Sequence, residues 1–321
     1  MSERLYSMRE ALGRALADLG EIDGDVVVVT ADVGEATRAV RFFERYPERY
    51  FNVGISEQHA VSFAAGLAAL GMKPVVVAFA MFLMRAWEQI RNTVVRMNLG
   101  VKLVGTHAGF SDSTDGSSHQ ALEDIALMRV LPGMTVVVPA DACQVSRSLP
   151  KVVESVKGPA YYRVGRDYSP PITCDYSEDF VVGRAEILRD GEDVVVVGAG
   201  TVLWNALKAA EELKRVKGLS VAVVNMHTVK PLDEELLLKL ARKTGAVVTV
   251  EEHSVHGGLG SAIAETLAER YPAPVEIVGT RSLGRSARSP EDLLEHYGLG
   301  VRSLVQAIER VVERAKRGRG F

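Results

Sequence analysis

Eight short runs rich in valine, arranged in two series, constrain this chain more than any other feature. The first series is "DVVVVTA" (25–31), "KPVVVAF" (73–79), "VKLVGT" (101–106) and "MTVVVPA" (134–140). The second is "DVVVVGAG" (193–200), "SVAVVNM" (220–226), "AVVTVEE" (246–252) and "VEIVGT" (275–280). Continuous apolar runs of this length suit strands buried on both faces, and the helical patterns between them suit crossover connections. The expected fold class is therefore α/β, as two three-layer αβα domains with mainly parallel sheets. The first series ends near "YYRVGRDYSPPITCDYSEDF", where Pro170-Pro171 and polar neighbours read as a linker. The boundary falls close to residue 178, giving domains of 1–177 and 178–321.

With 321 residues, the chain is long enough for two domains with large cores. Its 38 basic and 41 acidic residues nearly balance, which argues against a nucleic-acid-binding body. The basic C-terminal run "RAKRGRGF" reads as a solvated tail. No stretch approaches the roughly 20 apolar residues needed to span a bilayer. The N-terminal pattern, with Glu3 and Glu10, lacks the apolar centre of a signal peptide. Cys143 and Cys174 form no metal spacing and no disulfide framework, so a reducing, cytoplasmic setting is expected.

Candidate chemistry collects in "GISEQH", "AFAMFLMRAWEQIR" and "THAGFSDSTDGSSHQALED", which supply Glu57, Phe79, Phe82, Arg85, His107, Asp115 and His119. Each has an ordinary alternative explanation. A Glu in a first helical turn complements the helix dipole, and Asp115-Gly116 is a turn signal. Phenylalanines at strand ends commonly belong to the core. The set as a whole says more, because its members fall at expected C-terminal ends of parallel strands, where open α/β sheets bind ligands. Ser56 is an expected N-cap for the helix that follows and Gly71 an expected stop. The small residues Ala60, Ala64, Ala65, Gly66 and Ala68 suit a close helix–helix approach, within the chain or outside it.

These segments resemble the transketolase family, specifically its pyrimidine-binding and C-terminal domains. The similarity runs through "TADVGEAT", "NVGISEQHAVSFAAGLAALG", "KPVVVAFAMFLMRAWEQIR", "THAGFSDSTDGSSHQALEDIALMRVLPGMTVVVPAD" and "GPAYYRVGR". It continues through "HTVKPLD" and "EEHSVHGGLGSAIAE", so it covers nearly the whole chain. The resemblance implies thiamine diphosphate as cofactor. Glu57 would hydrogen-bond a ring nitrogen of its aminopyrimidine and favour the imino tautomer that removes the thiazolium proton. Phe82, with Phe79, would give the aromatic wall on which the pyrimidine stacks. Val33 matches the apolar prop that holds the cofactor bent, Asp32 a position lining cofactor and sugar, and Arg85 lies beside the cofactor. His107, Asp115 and His119 match positions that bind ketose hydroxyls, with His107 and His119 assisting proton transfer. Arg166 and Arg9 match residues that hold the sugar phosphate. Arg163 is open between that role and a surface ion pair.

The resemblance also carries departures. The Gly-Asp-Gly and downstream Asn of the diphosphate-binding domain have no counterpart at the required spacing. The implied enzyme is a split transketolase, a heterotetramer whose diphosphate-binding partner subunit holds most of the Mg2+ (or Ca2+) site and whose substrates are sugar phosphates. Neither nucleic acid nor membrane is an expected partner. Ala36 stands where full-length enzymes usually carry Ser, and Arg85 where they carry Tyr. Deoxyxylulose-phosphate synthase shares "SEQHAV" and Arg85 but has Arg at the position of His107, which favours transketolase. The beta subunit of 2-oxo acid dehydrogenases shares the two-domain layout and matches the 106–124 stretch less well. "VVVVGAGT" raises a nicotinamide-binding oxidoreductase, weakened by Leu203 and Asn225 at positions that would want Gly and an acid. "HGGLGS" (256–261) could hold an anion at a helix N-terminus or simply turn the chain. A non-catalytic scaffold would need none of Glu57, Phe79, Phe82, His107, Asp115 and His119.

Overall fold

The computed structural model describes residues 5–166, 168–176 and 178–318. All eight valine-rich runs become strands, divided between two sheets. The larger sheet has the order Thr228–Lys230, Thr135–Val137, Ala160–Arg163, Lys102–Thr106, Lys73–Phe79, Val26–Thr30, Tyr50–Asn52. Its strand pairs are parallel except the first, where Thr228–Lys230 runs antiparallel to Thr135–Val137. The smaller sheet has the order Val275–Thr280, Val247–Ser254, Val194–Ala199, Val221–Asn225, Glu186–Arg189, antiparallel only at the last pair.

Strand periodicity explains the layers. Val26, Val28, Val75 and Val77 point to one face, against Leu12 and Leu16 of helix Met8–Ile22 and Val145, Leu149 and Val152 of helix Ala142–Ser155. Their neighbours Val29 and Val76 point to the other face, against Ala60, Ala64 and Ala65 of helix Glu57–Ala69. In the second sheet Val194, Val196, Val221 and Val223 face helices Leu203–Lys217 and Val301–Gly318. Val195, Val197, Ala222 and Val224 face Glu234–Thr244 and Leu259–Arg270. That last face belongs to the same continuous apolar cluster as Val29, Val76 and Ala64, so the two sheets share a core.

Two local expectations change. Ser56 precedes helix Glu57–Ala69, but its hydroxyl makes no capping bond; its main-chain N–H instead donates to Gly54 O at 2.7 Å. Gly71 does end the helix, at φ +92°. The small residues of this helix divide: Ala60, Ala64 and Ala65 are buried within the chain, while a Cβ on Gly66 would meet nothing within 4 Å.

The cysteine reading is corrected. Cys143 and Cys174 form a disulfide, with Cα atoms 5.2 Å apart and a sequence separation of 31. The spacing gave no hint because the approach is made by other residues. Asp141 caps helix Ala142–Ser155 through Gln144 N–H at 2.7 Å and also accepts from the Thr173 hydroxyl at 2.8 Å, drawing the linker onto the helix start. The paired thiols remove the argument for a reducing compartment. Among the described residues no helix is long and apolar enough to cross a membrane.

The linker is strapped down elsewhere too, since Tyr168–Ser169 pairs antiparallel with Tyr6–Ser7. Arg163, at the end of its strand, is buried. It donates from Nε to Asp124 Oδ2 at 2.7 Å, and from Nη2 to Ala121 O at 3.1 Å and Glu252 O at 2.9 Å. Tyr161 adds a hydroxyl to the same carboxylate at 2.7 Å. Removing one member of a buried pair leaves a desolvated charge, at a cost of about 3–5 kcal/mol. Arg163→Met should accordingly lower the unfolding free energy obtained from a urea titration by an amount in that range; a variant as stable as the parent would show that the pair does not hold these segments.

Candidate functional site

The C-terminal ends of four neighbouring parallel strands bring most of the candidate residues to one edge. Strand Val26–Thr30 leads into Asp32 and Val33, and Tyr50–Asn52 into Gly54 and Glu57. Strand Lys73–Phe79 ends on Phe79 and runs into Phe82 and Arg85, and Lys102–Thr106 delivers His107. Asn52 couples the first two ends: its Oδ1 accepts from the main-chain N–H of Asp32 and of Gly54, both at 3.0 Å. Its Nδ2 donates to Asp32 Oδ1 at 2.8 Å. Asp32 and His107 stand at φ +62° and +57°, a left-handed conformation uncommon for side-chain-bearing residues and concentrated at functional sites.

The aromatic residues form one cluster. The rings of Phe79 and Phe82 stack at 5.2 Å with 11° between planes, and His107 stacks on Phe79 at 3.7 Å. His119 sets its edge against Phe82 at 5.3 Å. Glu57, only 4% exposed, presents a carboxylate whose Oε2 has no hydrogen-bond partner among the described residues. Arg85 Nη1 lies 3.8 Å from that oxygen, too far for a hydrogen bond, and its side chain is 66% exposed. A buried carboxylate oxygen left unmade is costly, and such an atom marks a place where an external donor fits. Together the Phe79–Phe82 pair and the free Glu57 oxygen match a flat heterocycle that carries a protonatable nitrogen.

His107 is held neutral. Burial first, then the cations Arg9 and Arg166, push its imidazole down to about 3. Its Nδ1 pairs with the Thr106 hydroxyl at 2.9 Å. A neutral ring can donate from one nitrogen and accept at the other, which suits it to hold a sugar hydroxyl.

The predicted phosphate residues form a second group. Arg166 pairs with buried Asp112 through Nη1, reaches Thr114 Oγ1 at 3.2 Å and lies 3.6 Å from exposed Asp115. Burial, opposed by Arg166, leaves the Asp112 carboxyl above its ordinary range. Arg9 donates to Arg166 O and Ala36 O, both at 2.7 Å, so Ala36 contributes its carbonyl to the arginine pair. Asp115 thus sits beside Arg166 rather than in the aromatic stack, and the structure places Arg163 in a buried ion pair with Asp124 rather than at the surface or a phosphate. A cavity of about 640 Å³ opens next to Arg166, between the halves of the chain, with Ser113, Thr114, Thr201, Lys208 and Glu252 among its walls. None of Glu57, Phe79 and Phe82 lines it.

Two alternatives lose their structural basis. A Cβ on Gly198 would fall 2.8 Å from both Leu203 Cδ2 and Val250 Cγ1, so packing explains this glycine without a dinucleotide. At "HGGLGS" the N–H groups of Leu259 and Gly260 donate to the Glu251 carboxylate, each at 2.8 Å, so the chain supplies its own anion there. Sequence reasoning missed Asn52, Thr106, Asp112 and Gln120. Thr106 and Gln120 adjoin the identified His107 and His119, whereas Asn52 and Asp112 act through partners distant in sequence, Asp32 and Arg166.

The His107 shift predicts a pH dependence. An unfolded histidine takes a proton as pH falls through 6.5, while the folded one does so only near 3. The stability held by the neutral folded form is therefore complete above pH 6.5 and lost as pH falls below it. Carbon-13 NMR should show the His107 ring neutral from pH 8 to pH 5, and a ring titrating near 6.5 would refute the assignment.

Comparison with known proteins agrees with this geometry. Residues 5–170 match the family described as "Transketolase, pyrimidine binding domain", and residues 183–304 match "Transketolase, C-terminal domain". A 6-deoxy-6-sulfo-D-fructose transketolase subunit of Clostridium sp. (strain MSTE9) is 38% identical over 309 residues, covering 96% of this chain and 95% of the relative. A 1-deoxy-D-xylulose-5-phosphate synthase of Symbiobacterium thermophilum (strain DSM 24528 / JCM 14929 / IAM 14863 / T) is also 38% identical over 309 residues, covering 96% of this chain but 47% of the relative. Among solved structures, one described as "Split gene transketolase, inactive beta4 tetramer" superposes with a TM-score of 0.88 at 45% identity, covering 96% of this chain and 98% of that one. The chain belongs to the transketolase family and carries its pyrimidine-binding and C-terminal domains.

Proposed function

We propose that this chain is the C-terminal subunit of a thiamine-diphosphate-dependent transketolase that transfers a two-carbon ketol unit from a ketose phosphate to an aldose phosphate. The observation that carries the reading is the buried Glu57 Oε2, without a hydrogen-bond partner among the described residues, at the same sheet edge as the Phe79–Phe82 stack. When bound, thiamine diphosphate supplies the carbanion chemistry of the transfer. Glu57 holds the proton at a pyrimidine nitrogen, and Phe82 with Phe79 orients the ring. Val33 props the cofactor, and Asp32 and Arg85 line it. His107 and His119 bind sugar hydroxyls and hand protons on, Asp115 binds a hydroxyl, and Arg166 with Arg9 holds the phosphate.

A partner subunit supplies the diphosphate and magnesium site, in a heterotetramer containing two copies of this chain. Support comes from the relatives that match this chain along nearly their full length, one described as a transketolase subunit and one as an inactive beta4 tetramer. Residues 1–177 carry the cofactor and substrate groups, and residues 178–321 complete the assembly.

Arg85, which the deoxyxylulose-phosphate synthases share, favours a synthase-like second reading, and the synthase relative keeps it in play. Substrate pairing separates the two. Co-expressed with a diphosphate-binding partner, the chain should transfer ketol units between sugar phosphates and use pyruvate with glyceraldehyde phosphate poorly; the reverse preference would install the synthase. Purified alone, the chain should be inactive, and robust turnover without a partner would refute the split assembly. In the assembled enzyme Glu57→Gln should cut kcat by about 10²–10⁴-fold, the usual loss for a positioned proton-transfer group. A near-parental rate would reduce Glu57 to a helix-start carboxylate.

A further inference from the structure

Between strand Val275–Thr280 and helix Pro290–His296, residues 281–289 cross from the second half of the chain onto the loop that carries Asp115 and His119. The contact is made by backbone and by one buried amide. Ala287 N–H donates to Ser113 O at 2.8 Å. Gln120, 2% exposed, donates from Nε2 to Asp112 O and to Arg285 O, both at 3.0 Å, so one side chain joins the two segments. Glycines on both sides permit the approach. A Cβ on Gly116, at φ +81°, would fall 2.5 Å from Ser286 Oγ, and one on Gly284 would fall 1.7 Å from Gln120 Oε1.

The 281–289 segment is itself anchored. The Tyr297 hydroxyl donates to Leu283 O at 2.9 Å, and the Thr280 hydroxyl to Ser282 O at 2.8 Å. The Tyr297 ring stacks on Phe110 at 4.6 Å, immediately before the same loop. The loop is thus held by Arg166, through Asp112, Thr114 and Asp115, and by residues 281–289 through Gln120 and Ser113.

We propose that residues 281–289 act as a clamp that positions the sugar-binding loop, with Gln120 as the positioning residue that locks it. The proposal rests on the reading of Asp115 and His119 as sugar-binding residues. Gln120 need touch no substrate. Both of its amide bonds go to main-chain carbonyls, one in each half of the chain, and it directly precedes neither reacting group nor cofactor wall but follows His119 in sequence. Without its donors both carbonyls lose a partner, and the loop regains freedom that substrate must then remove. The second half of the chain would in this way set how tightly sugar phosphate is held, in addition to its part in assembly.

Two variants test the clamp by different routes. Gln120→Leu keeps the bulk and removes the donors. Gly284→Ala keeps Gln120 but drives its amide aside with a new methyl group. Amide hydrogen exchange on the isolated chain should accelerate about tenfold over residues 112–120 in both, the effect of losing the one hydrogen bond that crosses to Arg285 O, while helix Glu57–Ala69 exchanges as in the parent. In the enzyme assembled with a diphosphate-binding partner, KM for the ketose phosphate should rise by a similar factor, about tenfold, with the half-saturating concentration of thiamine diphosphate unchanged. Unchanged exchange over 112–120 in both variants would overturn the clamp. Faster exchange with unchanged KM would uphold the clamp and overturn instead the assignment of this loop to the sugar.

Discussion

Arg163 divides its guanidinium between two parts of the chain that the sequence keeps far apart, residues 121–124 and Glu252. It pairs with Asp124, caps the carbonyl of Ala121 and reaches the carbonyl of Glu252 in the second sheet. A buried cation tolerates this position only because each donor has an acceptor, and the acceptors are thereby fixed relative to one another. Glu252 extends the arrangement, accepting from Phe110 N–H at 3.2 Å and from the Thr201 hydroxyl at 2.5 Å. The segment running from Phe110 to Asp124 is consequently pinned at both ends, and it is the segment that carries Asp115 and His119.

The site uses that rigidity in two different ways. The aromatic stack of Phe79, Phe82 and His107 is built almost entirely from strand ends of one sheet and needs little from the second half. The cationic group at Arg9 and Arg166 depends on loops: Ala36, Asp112 and Thr114 all contribute to its geometry. The neutrality of His107 links the groups, because the cations help keep its proton off. A neutral imidazole stacked on a phenylalanine keeps one nitrogen to donate and one to accept, and adds no further positive charge beside the arginines.

The second half of the chain is more closely integrated than two sequential domains would suggest. Its strand Thr228–Lys230 completes the edge of the first sheet, and one apolar cluster runs from Val76 and Ala64 to Val197 and Ile263. A linker paired with residues 6–7 and tied to Asp141 restricts hinge motion between the halves. Such integration brings residues 281–289 against the loop that carries Asp115 and His119.

Much of this was legible in the sequence. The eight valine runs marked eight strands because alternation and burial on both faces are local properties. The candidate residues could be named because strand ends bring them to one edge in a parallel sheet whatever the details of packing. The remaining strands escaped notice for physical reasons: Tyr6–Ser7, Tyr50–Asn52, Tyr168–Ser169 and Thr228–Lys230 have two or three residues each, too few for a periodic signal, and Ala160–Arg163 and Glu186–Arg189 have four residues each and include charges that are paired only in the fold. The disulfide, the burial of Arg163 and the reach of Gln120 join positions 31, 39 and 165 residues apart. By itself, then, the sequence determined the class of fold, which follows from local pattern and order, and it nominated the aromatic and carboxylate groups as candidates. Only the tertiary structure decided which groups are neutral, which are paired and which stand free, because desolvation and hydrogen bonding depend on neighbours that no local pattern specifies.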